Sequence, residues 1–297
     1  MTSPSSPSRI PAPASADKPP SSRRLCGLIA GAGAFPFHVA REAKRQGLSI
    51  IAAGIQGRVD SSLAQQVDGY EELSVGQLGR LIAFFKASGV QHVIMAGKVT
   101  KDVLFDPTVQ FDQEALAVLN HVTEFSVNAV LGAIARRLAQ EGIELLDSST
   151  FLKTSLCPEG VVTQQSPSPA DEDDIRFGLQ VARQLAQLDV GQTVVVKRRV
   201  IVAVEALEGT DETIRRAGAL AGPGGIVVKM ASPMQDMRFD LPVLGLETIN
   251  IATSAGIRCL AVEAQKTILL EKELLIARAN AAGLIIVGLR PVMPEAS

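Results

Sequence analysis

LCGLIAGAGAFPFHVAREAKRQGLSIIAAG, residues 25–54, decides the fold. Residues 25–30 read as a buried strand, Gly31, Ala32 and Gly33 as a turn, and Pro36 suits the first turn of a helix, where its missing N–H is not needed. Gly47 ends that helix and residues 49–53 form the next strand. Strand, glycine turn, helix and strand make a βαβ unit of the doubly wound kind.

The turn is not a dinucleotide fingerprint. Pro36 stands where the third glycine of GxGxxG belongs, and the second strand runs into GIQGR (54–58) with no acid for a ribose, which disfavours a nicotinamide or flavin site. The N–H groups of Gly31, Ala32 and Gly33 could still cradle a phosphate or sugar, or form only a tight turn.

Moving outward, residues 67–73 read as a strand and 75–88 as a helix with Leu78, Leu81, Ile82 and Phe85 on one face, capped by Gly89. Residues 90–95 are a buried strand that ends in AGKV (96–99). Lys98 lies just past a strand's carboxyl end, where open α/β sheets place ligand-binding groups; an ordinary surface lysine is the alternative. Residues 113–119 and 127–140 read as helices and 143–146 as a short strand.

Residues 151–170, with Pro158, Gly160, Pro167 and Pro169, carry little periodicity and contain a linker. A helix over 171–188 follows, with Asp171 to Asp174 at its favourable end. Strands at 193–196 and 200–206 flank the basic turn Lys197, Arg198 and Arg199. EGTDETIRRAG (208–218) then opens a helix that Thr210 or Asp211 can cap. A strand over 226–230 delivers Lys229 and the loop ASPMQDMRFD (231–240), followed by a helix at 246–255, a strand at 258–262, a helix at 271–282 and a strand at 284–288. Alternating strands and helices in both halves imply two α/β domains: an N-terminal Rossmann-like parallel sheet over 25–155, and a C-terminal mixed-sheet catalytic domain over 156–297. The Ser/Pro-rich leader, 1–24, cannot bury an apolar face and is expected to be disordered.

At 297 residues, with 46% hydrophobic and 20% charged side chains, the chain can bury a sizeable core. A net charge of -2 argues against nucleic-acid binding. Cys26, Cys157 and Cys259 show no CxxC spacing, so neither a disulfide framework nor a zinc site is indicated, and a reducing cytoplasm fits best. His38, His92 and His121 form no metal-binding pair, so a metal would be held by oxygen. No apolar run is long enough to span a bilayer, and the N-terminus lacks the apolar region of a secretory signal.

Glu208, Asp211, Asp236 and Asp240 are hard oxygen ligands, more than Mg²⁺ needs when a substrate phosphate supplies the rest. One or two would hold the metal and another would orient an attacking water, with Lys229 and Arg238 neutralising phosphate charge. A salt-bridged surface network is the competing account of these charges. For Glu205, in the same region, both stand equally.

Several long segments in one order carry a resemblance: LIAGAGAFPFHVAREAKRQG, AGKV, DVGQTVVVKRRVIVAVEALEGTDETIRRAG, VVKMASPMQDMRFDLPVLGLETI and GIRCLAVEAQKTILLEK. Together they resemble the UDP-2,3-diacylglucosamine pyrophosphatases of the LpxI type, from Leu25 to Gly288. The resemblance implies hydrolysis of the pyrophosphate of UDP-2,3-diacylglucosamine to UMP and 2,3-diacylglucosamine 1-phosphate, in lipid A biosynthesis, with Mg²⁺ and with substrate between two α/β domains. It places Glu208, Gly209, Thr210, Asp211, Lys229, Gln235, Asp236, Arg238 and Asp240 in the site, with Gly31, Ala32, Gly33, Gly97 and Lys98 near substrate. A lipid-linked UDP-sugar as substrate makes peripheral contact with the inner membrane and a homodimer part of the expectation. Phe35, Phe37, Phe84, Phe85, Leu104 and Phe105 are candidates for an acyl groove, although most read as core. The rival is a non-catalytic nucleotide-sugar sensor of the same architecture.

Overall fold

A computed structural model of the chain describes residues 24–98, 109–122, 127–188, 190–231, 236–239 and 241–290. The leader at 1–23, Leu104, Phe105, Gln235 and Asp240 lie outside the described residues.

The first half is built on β1 (Leu25–Ala30), β2 (Ser49–Ile55), β3 (Gly69–Leu73), β4 (His92–Ala96) and β5 (Glu144–Leu145). They pair in the order β3-β2-β1-β4-β5, all parallel. Strands this apolar need cover on both faces, and helices α1 (Phe35–Arg45), α2 (Leu78–Ala87), α3 (Gln113–Leu119) and α4 (Val127–Gln140) supply it. One face packs Phe85, Leu138 and Ile143, the other Leu28, Ile50 and Ile94. Pro36 sits in the first turn of α1, and Gly47, at φ 84°, takes the chain out of it. The strand order reverses between β1 and β4, the usual ligand position of an open α/β sheet, and here the two chain exits are hydrogen-bonded to each other through Ala32 and Lys98.

The second half contains β6 (Gly160–Val161), α5 (Pro169–Gln187), β7 (Thr193–Lys197), β8 (Val200–Val204), α6 (Thr210–Ala221), β9 (Ile226–Lys229), β10 (Val243–Leu244), α7 (Leu246–Ser254), β11 (Cys259–Glu263), β12 (Ile268–Leu269), α8 (Lys272–Ala281) and β13 (Ile285–Leu289). Its six-stranded sheet runs β6-β13-β11-β9-β7-β8; β9, β11 and β13 are parallel, while β6 and the β7–β8 hairpin enter antiparallel. The expected mixed sheet is therefore present. Residues 151–170, expected to hold a linker, also contain β6, which pairs Val161 with Val287. Two residues are too few to show a period, and the pairing partner lies far along the chain.

Asp171 and Asp174 do more than charge the start of α5. Ser168 and Asp171 form a reciprocal capping box. The carboxylate of Asp174 accepts the N–H groups of Arg198 at 2.8 Å and Arg199 at 2.6 Å, the two turn residues of the β7–β8 hairpin. Both arginines have left-handed φ, 51° and 59°, a tight-turn conformation that favours glycine or asparagine. Asp174 holds them there. Asp174→Ala is expected to cost about 2–3 kcal/mol, because two charge-assisted bonds vanish and two turn amides lose their acceptor. Chemical denaturation measures the loss, and Arg198→Gly in the same chain should return part of it.

The two halves share a core. Met237, Leu241 and Val243, with Ile268 and Leu270, join the apolar cluster of Leu28, Ile50 and Leu152, and Phe239 packs on the opposite face with Phe85. The segment after β9 is thereby held against the first sheet.

Candidate active site

Strand register creates the centre of the site. Thr193, at the start of β7, lies opposite Lys229 at the end of β9, and the Glu205 N–H bonds to the Thr193 carbonyl at 2.9 Å just past β8. Three polar side chains from three strands thus stand side by side at one sheet edge. Lys229 Nζ donates to Thr210 Oγ1 at 2.6 Å and to Thr193 Oγ1 at 3.4 Å, and Thr210 donates to Glu205 Oε1 at 3.0 Å. Lys229 and Glu205 side chains are 13% and 12% exposed, with Nζ and Oε2 3.9 Å apart. Burial alone would raise the Glu205 pKa, but the Lys229 charge and hydrogen bonds from Thr193, Thr210 and the Gln192 backbone hold it below the ordinary carboxylate value.

Thr210 opens α6. The residue before it, Gly209, is the N-cap, at φ 82°, and no side chain caps the helix. This corrects the expectation that Thr210 or Asp211 would cap it: both lie inside the first turn, and the Thr210 hydroxyl turns to Glu205 and Lys229 instead. An uncapped first turn leaves amide donors and the positive end of the helix dipole beside the Lys229 ammonium.

Asp211 bridges outward. Its Oδ1 accepts from Thr248 at 2.8 Å, in the first turn of α7, and its Oδ2 lies 3.9 Å from Lys98 Nζ of the first half. Lys98 sits on a turn that is locked to the β1–α1 turn. The Gly31 N–H donates to the Ala96 carbonyl at 2.8 Å, and Ala32 and Lys98 exchange both backbone bonds at 2.9 Å. A Cβ on Gly31 would come within 2.7 Å of the Lys98 carbonyl oxygen, and one on Gly97, at φ 96°, within 2.6 Å of the Gly31 carbonyl carbon. These two glycines therefore permit two backbones to touch. With the Gly31 and Ala32 amides spent on that contact, the anion cradle expected from the three amides of 31–33 shrinks to Gly33, whose φ is 91° and whose Cβ position is open.

Asp236 and Arg238 lie over the carboxyl edge of the first sheet. The Ser148 N–H donates to the Met237 carbonyl at 3.0 Å, and the Ser148 hydroxyl lies 2.6 Å from the Arg238 carbonyl and 2.7 Å from that of Met95 near the end of β4. At the other end of the loop, Glu263 accepts the Ala231 N–H at 3.0 Å. Arg238 grips Asp236 with two parallel bonds, Nε to Oδ1 at 2.9 Å and Nη2 to Oδ2 at 2.6 Å, and this guanidinium lowers the Asp236 pKa. Glu208 is engaged elsewhere: it bonds Arg216 at 2.5 Å on the outer side of α6, and its pKa falls through its own backbone amide first and Arg216 second. The three expected ligand acids that are described, Glu208, Asp211 and Asp236, are not grouped. Among the described residues, no three His, Cys, Asp or Glu side chains are grouped to hold a metal.

Of the aromatic side chains considered for an acyl groove, Phe35 and Phe85 are core, 8% and 0% exposed. Glu205, left open from sequence, and Thr193, Thr248 and Ser148, not singled out there, all bear on the site. The available signal was an acid or hydroxyl at the end of a buried apolar strand, beside a helix start.

Fold and site together define a two-domain α/β protein in which a lysine, an uncapped helix start and a second lysine from the other half gather where the halves meet. The chain matches the LpxI N-terminal domain over residues 25–155 and the LpxI C-terminal domain over residues 158–287. It belongs to the LpxI family. It is 30% identical over 279 residues, 90% of this chain and 98% of the relative, to the UDP-2,3-diacylglucosamine pyrophosphatase LpxI of Caulobacter vibrioides. Likenesses to solved structures are slight and carry no argument: gox2253, 11% identical over 90% of each chain with TM-score 0.29, and the biotin carboxylase domain of Hydrogenobacter thermophilus 2-oxoglutarate carboxylase, 15% identical over 66% of this chain and 41% of that one with TM-score 0.24. Among the described residues, no helix is long and apolar enough to cross a membrane.

Proposed function

We propose that this protein hydrolyses the pyrophosphate of UDP-2,3-diacylglucosamine, releasing UMP and 2,3-diacylglucosamine 1-phosphate for lipid A biosynthesis. The observation that carries this reading is the meeting of Lys229 and the uncapped α6 start with the Lys98 turn of the first half, 3.9 Å from Asp211. A diphosphate needs such a setting, where fixed cations and amide dipoles stabilise charge as the P–O bond breaks. Family membership and the activity of the Caulobacter relative supply the substrate.

A divalent cation fits in a limited form. Glu208 and Asp236 are spent on arginines, whereas among the described residues Asp211 has a hydroxyl and a distant ammonium for partners. One or two carboxylates suffice when the substrate's own phosphates bind Mg²⁺. Asp211 is the described residue that would hold it, and the cation would supply charge neutralisation on the diphosphate oxygens. Lys229 binds and polarises the phosphate, Thr210 fixes Lys229, and Arg238 is held by Asp236 beside the carboxyl edge of β4. Asp240, which lies outside the described residues, is proposed from the sequence alone to orient the attacking water. A substrate with two acyl chains resides in a bilayer, so the protein would meet it at the cytoplasmic membrane surface.

The test is UMP release from UDP-2,3-diacylglucosamine by the purified full chain, with Mg²⁺ and again after chelation. Turnover with Mg²⁺ and its loss on chelation are expected. Binding without turnover in either condition would favour the sensor.

A further inference from the structure

We infer that Glu205 is a positioning residue for the hydrolysis, acting through Thr210 to aim the Lys229 ammonium so that one of its N–H bonds is left for the substrate's diphosphate. The inference rests on the function proposed above and adds a residue to it.

The direction of each proton carries the case. A carboxylate only accepts, so the single Thr210 hydroxyl proton points to Glu205, and the hydroxyl's lone pairs face Lys229. Lys229 has three N–H bonds. Thr210 and Thr193 take two, and neither threonine belongs to a flexible segment: Thr193 is held in β7 and Thr210 in the first turn of α6. Among the described residues nothing takes the third donor, which is on a side chain 13% exposed at the edge of the sheet and next to the uncapped α6 start. Glu205 makes this arrangement singular. Without its charge, the acceptor that fixes the Thr210 hydroxyl is weaker, and Lys229 loses the counter-charge that stands 3.9 Å away.

An ion pair with both partners this deeply buried is costly to desolvate, and apolar residues of like size often stabilise a fold as well or better. A pair kept only for stability would couple to the melting temperature. A pair kept to aim Lys229 couples to kcat.

The experiment compares the full chain with Glu205→Gln, Lys229→Met, the double variant and Thr210→Val, recording kcat and KM for UDP-2,3-diacylglucosamine with Mg²⁺ and checking folding by circular dichroism at the assay temperature. Glutamine keeps the acceptor for Thr210 but removes the charge. The expected result is a fall in kcat of about 10–100-fold for Glu205→Gln with KM changed less than about threefold. Thr210→Val, which removes the shorter of the two hydroxyl links to Lys229 and leaves the ion pair, should show the same split, and the double variant should be no slower than Lys229→Met alone. Wild-type kcat in folded Glu205→Gln overturns the inference, as does a double variant whose loss is the product of the two single losses. Should Glu205→Gln not fold, Thr210→Val decides alone, and wild-type kcat there overturns it. A wild-type chain that releases no UMP strikes the proposed function itself, a result distinguishable from an active wild type with an equally active Glu205→Gln.

Discussion

Lys229→Met is expected to lower kcat/KM for UDP-2,3-diacylglucosamine by about 10²–10³-fold, the range for removing one preorganised donor from a developing negative charge. It should also destabilise the fold. Glu205 would be left 12% exposed with no cation beside it, and breaking a buried pair from one side costs about 3–5 kcal/mol, the lower figure being apt because the pair is not fully buried. The two effects separate in one further variant. Glu205→Gln added to Lys229→Met should return most of the stability, since the uncompensated charge is gone, and none of the activity. Denaturant midpoints and steady-state rates on the same preparations give both numbers. Recovery of activity together with stability would mean that Lys229 serves only the fold.

The second large effect is expected at Gly97→Ala. A methyl group there meets backbone, with the Gly31 carbonyl carbon at 2.6 Å and the Ala32 carbonyl oxygen at 2.9 Å, and neither can swing aside as a side chain would. The φ of 96° is unfavourable for any residue with a Cβ. The paired bonds between Ala32 and Lys98 should open, at a cost of about 2–4 kcal/mol. Lys98 should lose its place near Asp211, so turnover falls as well. Gly33→Ala is the matched control: φ is 91° but nothing lies within 4 Å of the new Cβ, so only about 1–2 kcal/mol of backbone cost is expected. Equal losses in the two variants would show that the tight approach of the two turns does not matter.

Much of the first half was legible in its sequence. The 25–54 stretch declares its strands by unbroken apolar runs and its helix by Pro36 and Gly47, and α3 and α4 fall on the residues whose apolar spacing predicts them. Parallel strands buried on both faces leave that kind of trace. The two-residue strands β6, β10 and β12 leave none, because their partners are chosen by tertiary contact. In the site, the types of residue were legible and their pairings were not. Asp236 and Glu208 read as metal ligands because their arginine partners, two and eight residues on, cannot be paired with them from spacing alone. Glu205 stayed undecided because its meaning comes from the antiparallel entry of β7 between β8 and β9, which sets Glu205, Thr193 and Lys229 in a row. The glycines of 31–33 invited a phosphate because a turn's free amides look the same in sequence whether a ligand or a neighbouring backbone claims them.

The central claim is that the diphosphate being cleaved lies between the α6 start with Lys229 and the Lys98 turn of the first half. Its most direct test is the structure of the full chain with bound UDP-2,3-diacylglucosamine. The predicted result is diphosphate oxygens within hydrogen-bond distance of Lys229 Nζ and the first-turn amides of α6, with Lys98 on the other side. A diphosphate bound away from Lys229, such as in the groove between α6 and α7 lined by Arg215 and Asn250, would contradict it.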